Sequence, residues 1–289
     1  MWTLWRPLGR STTRQGSRAV PDVSPIDSSR LAFVGGLHRS GTTVLAKALG
    51  EHPDVSGLSG TPAKEDEGQH LQSVYPAANV HGGAGRFAMS DASHLTEDSP
   101  LVSSANADRI LASWAPYWDL DRRVLVEKSP PNLVMTRFLQ GLFPDATFVV
   151  LIRHPIVVAL STKKWARRTS LLRLVQHNLR AYDVFAADRP SLRRVVVVRY
   201  EDLITDPANE LAKVGTAVGL SPPMPTGAIA GGHSSRYLDM WSGLSEGSPW
   251  RRRQRRQIEE FAAEPLARWG YRVDDLTHVG PSPEIDQSS

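Results

Sequence analysis

The segment FVGGLHRSGTTVLAKALG, residues 33–50, has the makings of an anion cradle. Gly36 and Gly41 keep the glycine spacing of a nucleotide-binding P-loop, and Thr43 stands at its Ser/Thr position. The residue before Thr43 is Thr42 rather than lysine, and the positive charge sits inside the loop, at Arg39. A glycine turn leading into a helix aims backbone N–H groups at one point, at the positive end of the helix, and so binds an anion. Without the lysine, the usual contact to a β/γ-phosphate pair is missing. Two more cations sit in short loops: Lys128 in EKSPPN, 127–132, and Arg153 in RHP, 153–155. In the pattern Arg153-x7-Ser161 both side chains could grip a second phosphate. Alone, that pair reads equally as a helix-start arginine and a helix-surface serine. Acids gather in KEDEGQH, 64–70, which also reads as a solvated acidic loop.

The elements that must position these groups follow from hydrophobic periodicity. Leu31–Val34 is a strand that ends at Gly35-Gly36, and Val44, Leu45, Ala48 and Leu49 fall at helical spacing. Val124–Val126 is a short strand, and 146–152, ATFVVLI, is a strand buried on both faces. Pro155 fits the first turn of a helix from Ile156 to about Arg168. Further helices are expected over 110–118, from Leu133 to Phe143, over 171–187, from Asp206 to about Val218 and over 250–269, with a strand over 194–199. The polar stretch 57–100 lacks strong periodicity and reads as loops and short helices over an active-site mouth. Strands alternating with helices predict an α/β three-layer, P-loop-like fold with a central parallel sheet flanked by helices. Ligands of such sheets bind beyond the carboxyl ends of the strands. The loops GGLHRSGTT, EKSPP and RHP all fall at those ends, so Arg39, Lys128 and Arg153 would converge on one crevice.

Bulk properties narrow the classes. With 40% hydrophobic and 22% charged residues, the 289-residue chain can bury a sizeable core. A net charge of +4 suits an anionic ligand without demanding nucleic acid. The absence of cysteine excludes disulfides, Cys-ligated metals and a thiol nucleophile. The nine histidines show no HExxH pattern, so no metal is expected. No apolar stretch reaches the roughly 18 residues that span a bilayer. Residues 1–29 carry Arg6, Arg10, Arg14 and Arg18 without the apolar core of a secretory signal and read as a disordered basic tail. Asp22 and Asp27 speak against a transit peptide. One domain is expected over 30–275, with a polar C-terminal tail over 276–289. The arginines at 251–253, 255 and 256 read as a solvated helix face, paired with Glu259 and Glu260, with one or two reaching the site.

In this order, FVGGLHRSGTT, VEKSPPN, LIRHPIVVALS and VVRYEDL resemble the sulfotransferases that use 3′-phosphoadenosine-5′-phosphosulfate (PAPS). The flavour is that of the tyrosylprotein-sulfotransferase-like branch, with the histidine-proline-acid step HPDV at 52–55, and the resemblance runs from 31 to about 220. It implies that Arg39, Ser40, Gly41, Thr42 and Thr43 hold the 5′-phosphosulfate and that Arg153 and Ser161 bind the 3′-phosphate. It also implies that Lys128 stabilises the departing phosphate oxygen and that Tyr200 helps to shape the nucleotide pocket. Such a cofactor has no β/γ-phosphate pair and needs no metal, so a Walker lysine has no task.

The reaction implied is sulfuryl transfer to a hydroxyl or amine, and an alcohol acceptor needs a base. The branch carries a glutamate shortly after the histidine-proline step, where this chain has LSGTP. The candidates are then Glu67 first, Glu65 second and His70 third. Glu127 adjoins Lys128, but strand alternation turns it away. Expected partners are a small-molecule, lipid or carbohydrate acceptor, with no nucleic acid and no stable membrane insertion, in the cytoplasm. The alternatives are a kinase-like phosphotransferase with a degenerate P-loop, a nucleic-acid binder, and a relative that binds nucleotide without catalysis. Against the kinase stand Thr42 and the lack of an acid at the end of ATFVVLI to manage magnesium.

Overall fold

The computed structural model describes residues 26–229, 235–282 and 285. The strands are β1 (Leu31–Gly36), β2 (Val55–Gly57), β3 (Val124–Lys128), β4 (Thr147–Ile152) and β5 (Val195–Arg199). They form one sheet in the order β2-β3-β1-β4-β5, and every pairing is parallel. The helices are α1 (Thr42–Gly50), α2 (Ser104–Trp114), α3 (Thr136–Leu142), α4 (Pro155–Thr162), α5 (Leu171–Asp188), α6 (Tyr200–Thr205), α7 (Pro207–Ala217), α8 (Ser235–Ser245) and α9 (Pro249–Arg268). The expected three-layer α/β fold is what forms.

Strand alternation builds the two cores. Leu31, Phe33, Leu125, Phe148, Val150 and Ile152 face one side, where α2, α3, α4, α5, α8 and α9 pack. Ala32, Val34, Val126, Val149, Leu151 and Val198 face the other, against Leu45 and Ala48 of α1 and Leu211 and Val214 of α7. All six residues of β1 and of β4 are buried, as continuous apolar runs in a parallel sheet require. The spatial order β3-β1-β4 sets the loops after these three strands side by side at one sheet edge.

Several expected boundaries move. The helix placed at 110–118 starts at Ser104, because the Ser103 hydroxyl caps it by accepting from Asn106 N. The helix expected to reach Arg168 stops at Thr162, where the Lys163 ammonium donates to the carbonyls of Arg167 and Thr169 and turns 163–170 into a loop. The stretch 57–100 holds short 3-10 turns, beginning at Lys64–Asp66 and Gly68–His70. The edge strand β2 and helix α8 have no counterpart in the sequence reading.

The basic tail placed at 1–29 lies outside the described residues up to position 25. At the other end the chain does not leave the domain at Asp275. Leu276 and Ser282 are buried, Gly280 N donates to Gly270 O at 2.8 Å, and Arg199 Nη2 donates to Gly280 O at 3.1 Å. A polar composition hid this packing, because backbone groups of Gly270 and Gly280 carry much of it. No helix among the described residues is long and apolar enough to cross a membrane.

Candidate active site

The glycine loop between β1 and α1 is built from backbone strain and one close approach. Arg39 has φ 73° and Gly41 φ 113°, so the chain twice enters the left-handed region before the helix begins. A Cβ on Gly41 would lie 2.7 Å from the Tyr200 ring, so only glycine fits there. Ser40 is fully buried, and its hydroxyl donates to Leu37 O at 2.7 Å, closing the loop on itself. The Ser40 backbone N–H donates to the same carbonyl at 3.0 Å, so both donors of this serine serve the loop's shape. Gly41 caps α1 without a side-chain hydrogen bond, so the first-turn N–H groups have no cap to satisfy them.

Around this helix start lies a cavity of about 180 Å³ lined by Arg39, Gly41, Thr42, Thr43, Val44, Arg153, Ser161, Tyr200 and Tyr237. Arg153 follows β4. Its backbone N–H donates to the Tyr182 hydroxyl at 2.9 Å, and that hydroxyl donates to Arg153 O at 2.8 Å. Its guanidinium donates to Arg39 O at 3.1 Å and lies 3.9 Å over the Tyr200 ring. His154, buried beside it, caps α4: Nδ1 accepts from Ile156 N at 3.2 Å, and Nε2 donates to Arg272 O at 3.0 Å. Burial pushes its pKa down to about 4, so the ring stays neutral and keeps this capping geometry at neutral pH. Ser161, one side chain of α4, accepts from Arg39 Nε at 3.2 Å and from the Tyr237 hydroxyl at 2.8 Å. Arg39, Arg153, Ser161 and Tyr200 therefore do meet. Tyr237 was missed because α8 carries no motif; its hydroxyl meets the site only through tertiary packing.

The second group assembles beside the first. β3 alternation puts Lys128 on the α1 face with Val126 and turns Glu127 to the opposite face. Lys128 Nζ donates to Glu65 O at 2.9 Å and lies 3.3 Å from Glu67 Oε1. Both members of this ion pair are buried. Gln69 Nε2 donates to the other Glu67 oxygen at 2.6 Å, and His70 Nε2 stands 3.8 Å from it. Glu65 takes a left-handed φ of 58°, so its carbonyl rather than its carboxylate meets the lysine, and its carboxylate accepts from Thr43 Oγ1 at 3.5 Å. A larger cavity of about 620 Å³ is lined by Thr43, Glu65, Asp66, Lys128 and the α1 and β2 walls. Thr43 lines both cavities, which adjoin there. Neither of Glu67 and His70 is among the lining residues of either cavity.

Glu127 holds the acid-bearing loop in place. Its carboxylate accepts from Gly68 N at 2.9 Å, Ser129 Oγ at 2.6 Å and Asn132 Nδ2 at 2.6 Å. A Cβ on Gly68 would lie 2.7 Å from that carboxylate. Burial raises its pKa to about 7, against these hydrogen bonds and the Lys128 charge, which pull it down. Between its unfolded value of 4.5 and about 7 the native state binds the extra proton, so this group's contribution to stability falls as pH rises through that window. Glu127→Gln removes the titration. We expect the stability difference, variant minus wild type, to rise between pH 4.5 and 7 by on the order of 3 kcal/mol and then level off. Urea melts across that range check it; a difference flat with pH refutes the assignment.

A five-stranded parallel sheet flanked by helices, with a glycine loop between β1 and α1 at its carboxyl edge, defines a P-loop-like α/β fold. Residues 32–223 match the sulfotransferase family, and the chain belongs to it. Nodulation protein NoeE from Sinorhizobium fredii (strain NBRC 101917 / NGR234) is 29% identical over 248 residues, covering 76% of this chain. The chain spans 56% of that relative's length. A sulfotransferase from Alicyclobacillus acidocaldarius superposes with a TM-score of 0.48 at 18% identity, covering 82% of this chain and 92% of that one. Sulfotransferase STF9 from Mycobacterium avium gives a TM-score of 0.48 at 17% identity, covering 78% of this chain and 70% of that one.

Proposed function

We infer that the protein transfers a sulfuryl group from PAPS to an acceptor hydroxyl, acting in the cytoplasm on a small molecule, lipid or carbohydrate. The observation that carries this reading is the pair of cavities that meet at Thr43, one lined by two arginines and the other by Lys128 and Glu65. The donor set suits the phosphate end of that nucleotide: two guanidiniums, threonine hydroxyls and an uncapped helix start. When bound, the donor supplies an electrophilic sulfur at the loop, and its 3′-phosphate falls to Arg153 and Ser161.

The chain's own part is positioning and charge, as in phosphoryl transfer. Arg39 and the N–H groups of the glycine loop hold the anionic end. The larger cavity receives the acceptor. Glu67 takes the hydroxyl proton as the acceptor oxygen bonds to sulfur and the sulfur–oxygen bond to the phosphate breaks. Lys128, freed as Glu67 is neutralised, turns its charge to the departing phosphate oxygen. Glu65 and His70 are the second and third bases in reach of the same loop.

Calorimetric titration with 3′,5′-bisphosphoadenosine, AMP and Mg-ATP tests the reading. Tight binding that depends on the 3′-phosphate and not on magnesium is the expected result. Preference for Mg-ATP returns the loop to a kinase-like phosphotransferase, and no nucleotide binding overturns both.

A further inference from the structure

Six large apolar side chains stand exposed among the described residues, and four of them line two neighbouring grooves: Val80, Met89, Met240 and Trp250. The first groove, about 720 Å³, runs between α4, α5, α8 and α9, with walls of Leu160, Leu171, Met240, Leu244 and Trp250. The second, about 760 Å³, is lined by Val80, Met89 and three arginines, Arg86, Arg168 and Arg173. Both volumes fall within the roughly 300–1,000 Å³ of small-molecule sites. Arg168 and Ser170 line both grooves, so the two are adjacent.

Both grooves carry basic side chains, Arg86, Arg168 and Arg173 in the second and Lys163, Arg168 and Arg251 in the first. No carboxylate lines the second groove, and Asp239 is the one acid among the residues lining the first. Among the described residues, none of Arg86, Arg168 and Arg173 is in an ion pair. Arg86 is already oriented: its Nε and Nη2 donate to Thr169 Oγ1 at 3.0 and 2.7 Å. The 163–170 loop that carries Arg168 is pinned from within by Lys163. An arginine cluster with no ion-pair partner among the described residues, beside a trough with apolar walls, is complementary to an anion that carries a hydrocarbon tail. The grooves are distinct from the nucleotide cavity, for Leu160 lines the first groove whereas Ser161, its neighbour on α4, lines that cavity.

We propose that these grooves form one binding site for a single anionic amphiphile, its tail against Leu160, Leu171, Met240, Leu244 and Trp250 and its phosphate- or sulfate-like head on Arg86, Arg168 and Arg173. The site stands on its lining alone and does not depend on the transfer reaction.

Dodecyl phosphate, titrated below its micelle concentration, is the probe. The expected result is one molecule per chain, bound at least tenfold more tightly than dodecyl maltoside. Octyl phosphate should bind at least tenfold more weakly, since each buried methylene contributes roughly fourfold. Arg168→Glu with Arg173→Glu should weaken dodecyl phosphate at least tenfold. Trp250→Ala with Met240→Ser, both at exposed positions, should do the same with unchanged melting temperature. Equal binding of dodecyl maltoside, or full binding by either double variant, overturns the proposal. So does competition by 3′,5′-bisphosphoadenosine, which would put the probe in the phosphate loop. Binding to phosphatidylglycerol vesicles but not to the monomer would also overturn it, by assigning the surface to a membrane face.

Discussion

Arg153→Ala weakens binding of 3′,5′-bisphosphoadenosine by roughly 100-fold, about 3 kcal/mol, and binding of AMP by only a few-fold. The two ligands differ by the 3′-phosphate, so the ratio isolates the contact that Arg153 is proposed to make. The magnitude follows from what the side chain is. A guanidinium held on one side by Arg39 O and stacked at 3.9 Å on Tyr200 is ordered before the ligand arrives. Little conformational entropy is then lost on binding, and a charge-assisted bond to phosphate is among the stronger ones. Some of the loss is indirect, because removing Arg153 also frees Arg39 O and uncovers Tyr200. Tyr200→Phe keeps the ring and its stacking, so it should leave the ratio between the two ligands within about threefold of wild type. Calorimetric titration of both ligands into each variant is the measurement. Equal losses for both ligands in Arg153→Ala would move the 3′-phosphate elsewhere.

What the sequence made legible is what backbone geometry repeats from protein to protein. The glycine spacing around Arg39 announced a strand, a turn and a helix start, and β1 and α1 form there. The apolar run 147–152 announced a strand buried on both faces. Parallel pairing then placed three loops at one edge, which brought Arg39 to Arg153 across 114 residues. Period-two alternation was enough to separate Lys128 from Glu127. The sequence is silent where a role depends on tertiary packing alone. Tyr237 reaches Ser161 from a helix without a motif. The Ser40 hydroxyl, which motif reading hands to the ligand, instead bonds the loop's own carbonyl. The KEDEG stretch reads as solvated acid, yet Glu67 is buried because Glu127 holds Gly68 and Ser129 holds Gln69 N from the neighbouring strand end. The helix expected to reach Arg168 ends six residues early because of two backbone carbonyls and one lysine, a pattern with no period to detect.

Glu67→Gln should lower kcat by roughly 10²–10⁴ and leave the affinity for 3′,5′-bisphosphoadenosine within about threefold, as loss of a general base does. The carboxylate and Lys128 are both buried and 3.3 Å apart. A buried pair of this kind is weak evidence for stability, since its desolvation cost can equal the attraction. Lys128 brings the pair to the wall of the larger cavity, and Glu67, which lines neither cavity, meets that wall through Lys128. Lys128→Met is the companion variant and should lower kcat by about 10²–10³, since a charge aimed at the leaving oxygen is lost. It also strands Glu67 as an unpaired buried charge, which should cost about 3–5 kcal/mol of stability. The double variant should recover much of that stability while its kcat falls little below the worse single variant, because the two groups act as a unit. Turnover with the first acceptor alcohol that supports it, together with urea melts, measures both effects. Glu65→Gln separates the remaining candidates: its carboxylate lines the larger cavity and reaches Thr43, so a loss there with Glu67→Gln fully active would move the base to Glu65. Full activity in both variants would leave His70, and strictly multiplying losses at Glu67 and Lys128 would mean that the pair does not work as one.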